Sequence, residues 1–491
     1  MSSRGGSLSI PPIRFGGFVW IGAALVAGGL GYFVMGIANS RGGVDALAFA
    51  LGLGCLVVVA LRPDVGATVL PAVVFANAGL VLRDHGVPNV ISGLSLLVLG
   101  CFLASSEWRA RVLRPTPVLF AFLVFAGIRV ISAVQSPTAD VKTVTQDVLI
   151  GVAIVLVLST IASMEDGLRH SLELVVMVAA LLSGLTMLKQ LGVGGTWFGF
   201  ATDNPPNAEQ QALSNRAGFT IQGDLSRATG PLADANFWAQ ALVLAFPLAL
   251  WMIRRGPTRL TRYGGAAAAV LIATGVALTQ SRGGAMALLL GVGVWLWFQG
   301  GRYRLAIGIL PLAVIVAVLL TGSTARFEKL KGLGDPAQST EFSGRLSENI
   351  AAFQMWRDHP VLGVGAGEFP TNYRTYAAQI GLDARTNRNA HNSYLQSAAE
   401  MGTLGLLAFI AMAVSGLWAG VRARTRFLER DDIAMASICE GLLAGLVGYL
   451  AAAALLHQAF PEYLWAWEGL LAGTLLLSGY RMRSILGEGG R

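Results

Sequence analysis

Residues 391–421 read HNSYLQSAAEMGTLGLLAFIAMAVSGLWAGV. The stretch begins with polar residues suited to starting a helix. It becomes an apolar run that ends where Arg422, Arg424, Arg426 and Arg430 begin. The run 396–421 is long enough to cross a bilayer, which takes about 20 residues at roughly 1.5 Å each. Further runs of this kind lie near 16–38, 44–61, 64–82, 88–104, 117–134, 145–162, 169–191, 235–253, 263–281, 283–299, 303–323, 433–456 and 462–480. The expectation is an all-α protein, a polytopic transmembrane helical bundle of about 12–14 spans, with 14 as the working count.

Composition agrees. Of 491 residues, 54% are hydrophobic and 13% charged, whereas soluble domains carry about 25% charged residues. The first run is too long for the apolar core of a signal peptide, and no small-residue cleavage site follows it, so it reads as a retained helix. Cys55, Cys101 and Cys439 all lie within apolar runs, where they read as small core residues and imply no disulfide framework.

The net charge of +8 resembles a nucleic-acid signal until its placement is considered. Arg62, Arg109, Arg111, Arg114, Arg254, Arg255, Arg259, Arg262, Arg302, Arg304 and the four arginines after the opening stretch fall in alternate connections. The tails add Arg4, Arg14, Arg481, Arg483 and Arg491. With 14 alternating spans all of these share one side, which the positive-inside rule makes cytoplasmic together with both termini. The surplus is a topology signal, with the lipid bilayer as partner and no nucleic acid. The expected organisation is N-terminal transmembrane helices over 1–191, a first outer loop over 192–234, central transmembrane helices over 235–323, a large outer loop over 324–395, and C-terminal transmembrane helices over 396–491.

The large loop is expected to contain short helices. Residues 342–358, FSGRLSENIAAFQMWRD, place Leu346, Ile350, Phe353 and Trp356 on one helical stripe. Arg345 and Asn349 lie on a neighbouring face, and the helix is expected to lie along the membrane surface or over the bundle. It ends by His359-Pro360. Gly363, Gly365 and Gly367 then read as a turn, because no strand precedes them as a nucleotide-binding loop would require.

His391 would sit at the start of the next helix, with Asn392 or Ser393 as its cap. The helix dipole there disfavours an imidazolium, and a neutral imidazole suits a general base. A capping role alone is the plainer reading. Arg282, in TQSRGGAMALLL, falls at an outer helix turn. It reads either as an arginine snorkelling to the interface or as a phosphate ligand. Arg345 has the same two readings. Arg227 precedes a Gly-Pro turn, with Asp234 or Asn236 as a cap for the following span, and Arg216 lies earlier in that loop. Arg129 and Lys189 fall at a similar depth. Such a cluster suits an anionic lipid head group at the outer leaflet. There is no HExxH, no CxxC pair and no outer Asp-x-Asp, so no metal or other cofactor is expected.

Four ordered segments carry a resemblance. They are RATGPLADANFWAQALVLAFPLAL from 227, TQSRGGAMALLL from 279, SGRLSENIAAFQMWRDHPVLGVGAGEF from 343, and HNSYLQSAAEMGTLGLL from 391, in which Gly402 follows His391 after ten residues. Over roughly 225–420 the chain resembles the bacterial O-antigen ligase and O-antigen polymerase superfamily of membrane glycan transferases. It departs at Met286, where a leucine is expected, and in its higher span count.

The resemblance implies a GT-C-like architecture in the bacterial inner membrane with the active site facing the periplasm. It also implies a metal-independent, inverting glycosyltransferase of O-antigen or exopolysaccharide assembly. The donor is a glycan on undecaprenyl pyrophosphate, and the acceptor is lipid A–core or a growing glycan. Chain-length regulators and flippases are the partners such enzymes imply. His391 is the implied base; Arg282, Arg345 and Arg227 the pyrophosphate ligands; and Asn392, Tyr394, Arg216, His457 and Glu462 substrate contacts. Polymerase is slightly preferred over ligase because of the two departures. The alternative of another class is a transporter or flippase of lipid-linked sugars; it would need charges along a path through the bilayer, and the mid-span regions are nearly uncharged.

Overall fold

The computed structural model describes residue 54 and residues 57–79, 89–191, 227–232, 234–301, 340–379, 389–456 and 461–485. The expected spans near 16–38 and 303–323, most of 44–61, and Cys55, Arg216 and His457 lie outside them. Contacts divide the chain into Met1–Gly66 and Ala67–Arg491; the architecture below is that of the second unit.

All regular structure among the described residues is helical. The order is α1 (Pro63–Phe75), α2 (Val90–Ala104), α3 (Ser106–Val112), α4 (Pro117–Gln135), α5 (Val141–Ala162), α6 (Glu165–Gln190), α7 (Ala235–Arg255), α8 (Arg259–Leu278), α9 (Arg282–Gln299), α10 (Thr340–Asp358), α11 (Phe369–Gln379), α12 (Ser393–Leu428), α13 (Ile433–Ala453) and α14 (Glu462–Ile485). Seven are long and apolar enough to cross a membrane, or eight if α2 and α3 form one bent span.

Within the described residues, four expected spans are not among the seven: those near 283–299 and 462–480 form α9 and α14, and the other two differ in shape. The run 64–82 yields α1, of 13 residues, which is too short to cross alone. The run 88–104 yields α2, which turns by 116° into α3. The turn has a local cause. Ser105 is extended, and Arg109 reaches back to donate to the carbonyls of Leu103 and Ala104 at 2.7 and 3.4 Å. It thereby satisfies carbonyls that a helix end leaves unpaired.

Polar residues set most helix starts. Thr116, Asp140, Asp234, Ser281, Asn392 and Asp432 each accept bonds from the first-turn amides of the helix that follows. Of the two pairs of capping candidates, the caps are Asp234 and Asn392.

The centre of the bundle is α7 and α13, both largely buried. α9 packs on α13, α8 on α7, α5 on α14, and α4, α13 and α14 surround α12. At the arginine-rich end Arg424 donates to Glu440 at 2.8 Å and lies over the Phe298 ring. Gln299 donates to the other Glu440 oxygen at 3.1 Å. These contacts tie the end of α9 to α12 and α13.

At the opposite end the segment expected as a large loop forms an outer layer. Ala351, Ala352 and Met355 of α10 and Phe369, Tyr373 and Ala377 of α11 share an apolar core with Ala390 and Ala399. The apolar stripe of α10 divides: Trp356 donates to Thr403 of α12 at 3.0 Å, and the other three residues face away from this core. Leu346, Ile350 and Phe353 turn outward and are about half exposed, while Ser347, Glu348, Ala351 and Ala352 are buried. The inward side carries mostly small residues, which suits close packing on α12, with Met355 as the larger member of that core.

The outer layer is fixed to the bundle at a break in α12. Gly402 interrupts the helix with φ +67°. A broken helix leaves amides and carbonyls without partners, and the loop after α10 supplies them. Thr403 and Leu404 amides donate to the Pro360 and Val361 carbonyls at 2.8 and 3.4 Å. Val364 and Gly365 amides donate to the Ala399 and Glu400 carbonyls at 2.9 and 3.0 Å. The Ser132 hydroxyl of α4 lies 2.7 Å from the Glu400 carbonyl oxygen and 2.9 Å from that of Leu362. Gly363, also at positive φ, lies against the Glu400 backbone, and Gly402 lies against that of Val361. Neither position has space for a Cβ. The three loop glycines form turns, as expected.

Gly402→Ala therefore combines a left-handed conformation, costing about 1–3 kcal/mol in a non-glycine residue, with collision against backbone that cannot yield. The expected outcome is a fall of several degrees in the thermal unfolding midpoint of the detergent-purified protein. An unchanged midpoint would contradict the packing described.

Candidate functional site

Five elements bring polar groups to the end of the bundle that carries the outer layer. α7, α8 and α9 are antiparallel with short connections, so the start of α7, the end of α8 and the start of α9 lie together. The Ala228 amide donates to the Leu278 carbonyl at 3.0 Å, and Arg227 Nε donates to the Thr279 carbonyl at 3.0 Å. Arg227 Nη2 donates to Asn236 at 2.9 Å. Arg227 is thus held within the turn that leads to Arg282, with two of its nitrogens engaged by the protein.

Arg282 is the first residue of α9, exposed, behind the Ser281 cap. The amides and dipole of a helix N-terminus favour an anion, and a guanidinium at that position adds a full charge and a planar donor fork. Gly283 beside it lies against Leu455 at the end of α13. One residue on, the Leu456 carbonyl accepts from Ser393 at 2.6 Å. This chain of contacts joins the Arg282 turn to the start of α12.

There the backbone is tightly determined. Asn392 accepts from the Tyr394 and Leu395 amides at 3.0 and 3.1 Å, and His391 just before it has φ +45°. That conformation is uncommon outside glycine and persists where surrounding structure enforces it. His391 Nδ1 lies 2.6 Å from Glu348 Oε2 on α10 and 3.2 Å from the Asn389 carbonyl oxygen. The Glu348 side chain is 1% exposed and that of His391 19%. Arg345 is one helical turn before Glu348 and half-buried. The structure therefore brings Arg345, Glu348 and His391 into one group, and Arg227 and Arg282 into another.

The remaining predicted residues differ in placement. The Tyr394 hydroxyl donates to the Leu450 carbonyl at 3.0 Å and its ring meets Phe409 edge-on, which anchors the start of α12 to α13. Asn392 is engaged as the cap. Glu462 opens α14. Arg129 pairs with Asp147 at 3.8 Å.

Glu348 is the residue that sequence reasoning missed. It lies off the apolar stripe of Leu346, Ile350, Phe353 and Trp356, and no motif in the sequence singles it out. A second buried carboxylate, Glu400, accepts from Gln396 at 2.9 Å and from the Gly367 amide at 3.0 Å. Gln396 lies 3.3 Å from Asn389. A polar chain thus runs from the α12 break back to the His391 loop.

The helices and their apolar surfaces define a multi-pass membrane protein with a helical outer layer over one end. Within it, residues 267–410 match the family described as O-antigen ligase. The matched region contains Arg282, Arg345, Glu348, His391 and Gly402, while Arg227 lies outside it. The match supports the O-antigen ligase and polymerase superfamily, and with it a glycosyl-transferring enzyme of that type. No curated protein matches the chain.

Asn392→Ala removes the acceptor for two amides beside His391. A lost cap costs about 1 kcal/mol, so a modest drop in thermal midpoint is expected, with Asn392→Asp restoring it. Equal stability of the Ala and Asp variants would show that the cap contributes nothing.

Proposed function

We propose that the protein transfers glycan from undecaprenyl pyrophosphate to a sugar hydroxyl at the periplasmic face of the inner membrane. The single observation that carries this is an arginine-bearing helix N-terminus and a buried carboxylate–histidine pair at the same end of one bundle. Both lie inside the segment that matches the ligase family.

The chemistry follows from the residue types. The acceptor hydroxyl loses its proton to His391 as its oxygen bonds to the donor's anomeric carbon. The bond from that carbon to the phosphate oxygen breaks on the opposite face, its electron pair leaves with undecaprenyl pyrophosphate, and the anomeric centre inverts. Pyrophosphate needs no strong acid to leave. The main electrostatic task is to stabilise the charge that develops on it, which we assign to Arg282 and Arg345. Arg227 adds charge nearby, although two of its nitrogens are engaged elsewhere. Asn392, Tyr394 and Glu462 remain candidates for acceptor contact, as do Arg216 and His457 from the sequence. No metal has a step in this scheme. Polymerisation, in which the acceptor is another lipid-linked repeat, is the first assignment, and ligation to lipid A–core the second.

Purified protein is supplied with lipid-linked repeats, with and without lipid A–core. Chain growth without core supports a polymerase, transfer only to core a ligase, and no product in either arm removes the reading. His391→Ala is expected to lower turnover about 10²–10⁴-fold, the usual contribution of a positioned base. Arg282→Ala and Arg345→Ala are expected to lower kcat/KM by at least about tenfold each. Wild-type turnover in His391→Ala would remove the base.

A further inference from the structure

We propose that Glu348 is a positioning residue for His391, holding the Nδ1–H so that Nε2 presents its lone pair to the acceptor. The inference rests on the reading of His391 as a base and adds the group that makes it one.

With Glu348 as the carboxylate, the geometry favours a proton on Nδ1. Nδ1 faces two oxygens, Glu348 Oε2 at 2.6 Å and the Asn389 carbonyl oxygen at 3.2 Å. A carbonyl oxygen can only accept, and so can an ionised carboxylate. The nitrogen facing both must donate. In the neutral ring that leaves Nε2 unprotonated, the form a general base requires. When Nε2 takes the acceptor's proton, the ring becomes a cation with its positive charge beside the carboxylate. This is the logic by which a buried acid behind a catalytic histidine sets its tautomer and stabilises the imidazolium that forms.

A purely structural ion pair is the competing account, and the surroundings argue against it. α10 is already held by the Ala351, Ala352 and Met355 packing and by the backbone bonding of the loop that follows it. A carboxylate with 1% exposure is expensive to bury, and apolar side chains fasten helices without that cost. The carboxylate is also matched closely to the histidine, since its Oε2 lies 2.6 Å from His391 Nδ1 while the His391 side chain keeps 19% exposure.

The test uses the full-length protein in nanodiscs with ¹⁵N-labelled histidine. The chain has five histidines, so the signals lost in His391→Ala assign those of His391. In alkaline buffer the wild type is expected to show a protonated Nδ1 and a bare Nε2. In Glu348→Ala the signals shift toward the Nε2–H form. Turnover is expected to fall about 100-fold in Glu348→Ala and about 10-fold in Glu348→Gln, which keeps an acceptor oxygen, with KM nearly unchanged in both. Glu348→Gln is close to isosteric and guards against loss of folding in the alanine variant. Unchanged nitrogen signals in Glu348→Ala, or wild-type turnover in a folded Glu348→Gln and Glu348→Ala beside an inactive His391→Ala, overturn the role of Glu348 alone. Wild-type turnover in His391→Ala instead overturns the base reading, and the nitrogen signals then judge the pairing by itself.

Discussion

The arrangement of the outer end depends on one seam of backbone hydrogen bonds. Where α12 breaks at Gly402, two amides and two carbonyls would be left unpaired inside the protein, and the loop after α10 pairs with all four. That pairing sets the distance between α10 and the start of α12, and so the distance between Glu348 and His391. Ser132 and Gln135 bring α4 into the same seam through the Leu362, Gly363 and Glu400 carbonyls. The outer layer is therefore continuous with the transmembrane bundle. Its own apolar core, shared by α10, α11 and α12, completes the attachment.

The two groups of candidate residues belong to different parts of this frame. Arg227 and Arg282 are placed by the α7–α8–α9 turn system. Arg345, Glu348 and His391 are placed by the outer layer. They meet through the end of α13, where Leu455 lies against Gly283 and the Leu456 carbonyl accepts from Ser393. A substrate spanning both groups would be held by parts that pack on the same helix, α13, along its length. The far end of the bundle has its own lock, Arg424 with Glu440 and Gln299.

The sequence made the helical class and most helix boundaries legible. Apolar run length and capping residues such as Asp234 and Asn392 are local signals, and they located α4 to α9, α12 and α13 within a few residues. What it did not show was non-local. Arg109 folding back on the end of α2 turned an apparent span into a bent pair. The large apolar residues of α10 gave a clear stripe, but periodicity finds the apolar side of a helix and not the side that another helix covers. Glu348 lies on that covered side, off the stripe. His391 and Gly402 were visible as a spacing, but the reason for it, a helix break sealed by a distant loop, required the structure.

The seam is made by main-chain atoms, and this has a consequence for how such proteins diverge. Main-chain pairing constrains φ, ψ and the absence of a Cβ at Gly363 and Gly402; it places little demand on the identity of Val361 or Leu362, while Val364 also packs against the core of α10 and α11. The segment can accept substitution after substitution while the two helices keep their separation. A protein built this way preserves its working geometry with a very thin sequence signature, and two descendants of one ancestor can share the arrangement long after their letters have ceased to resemble one another.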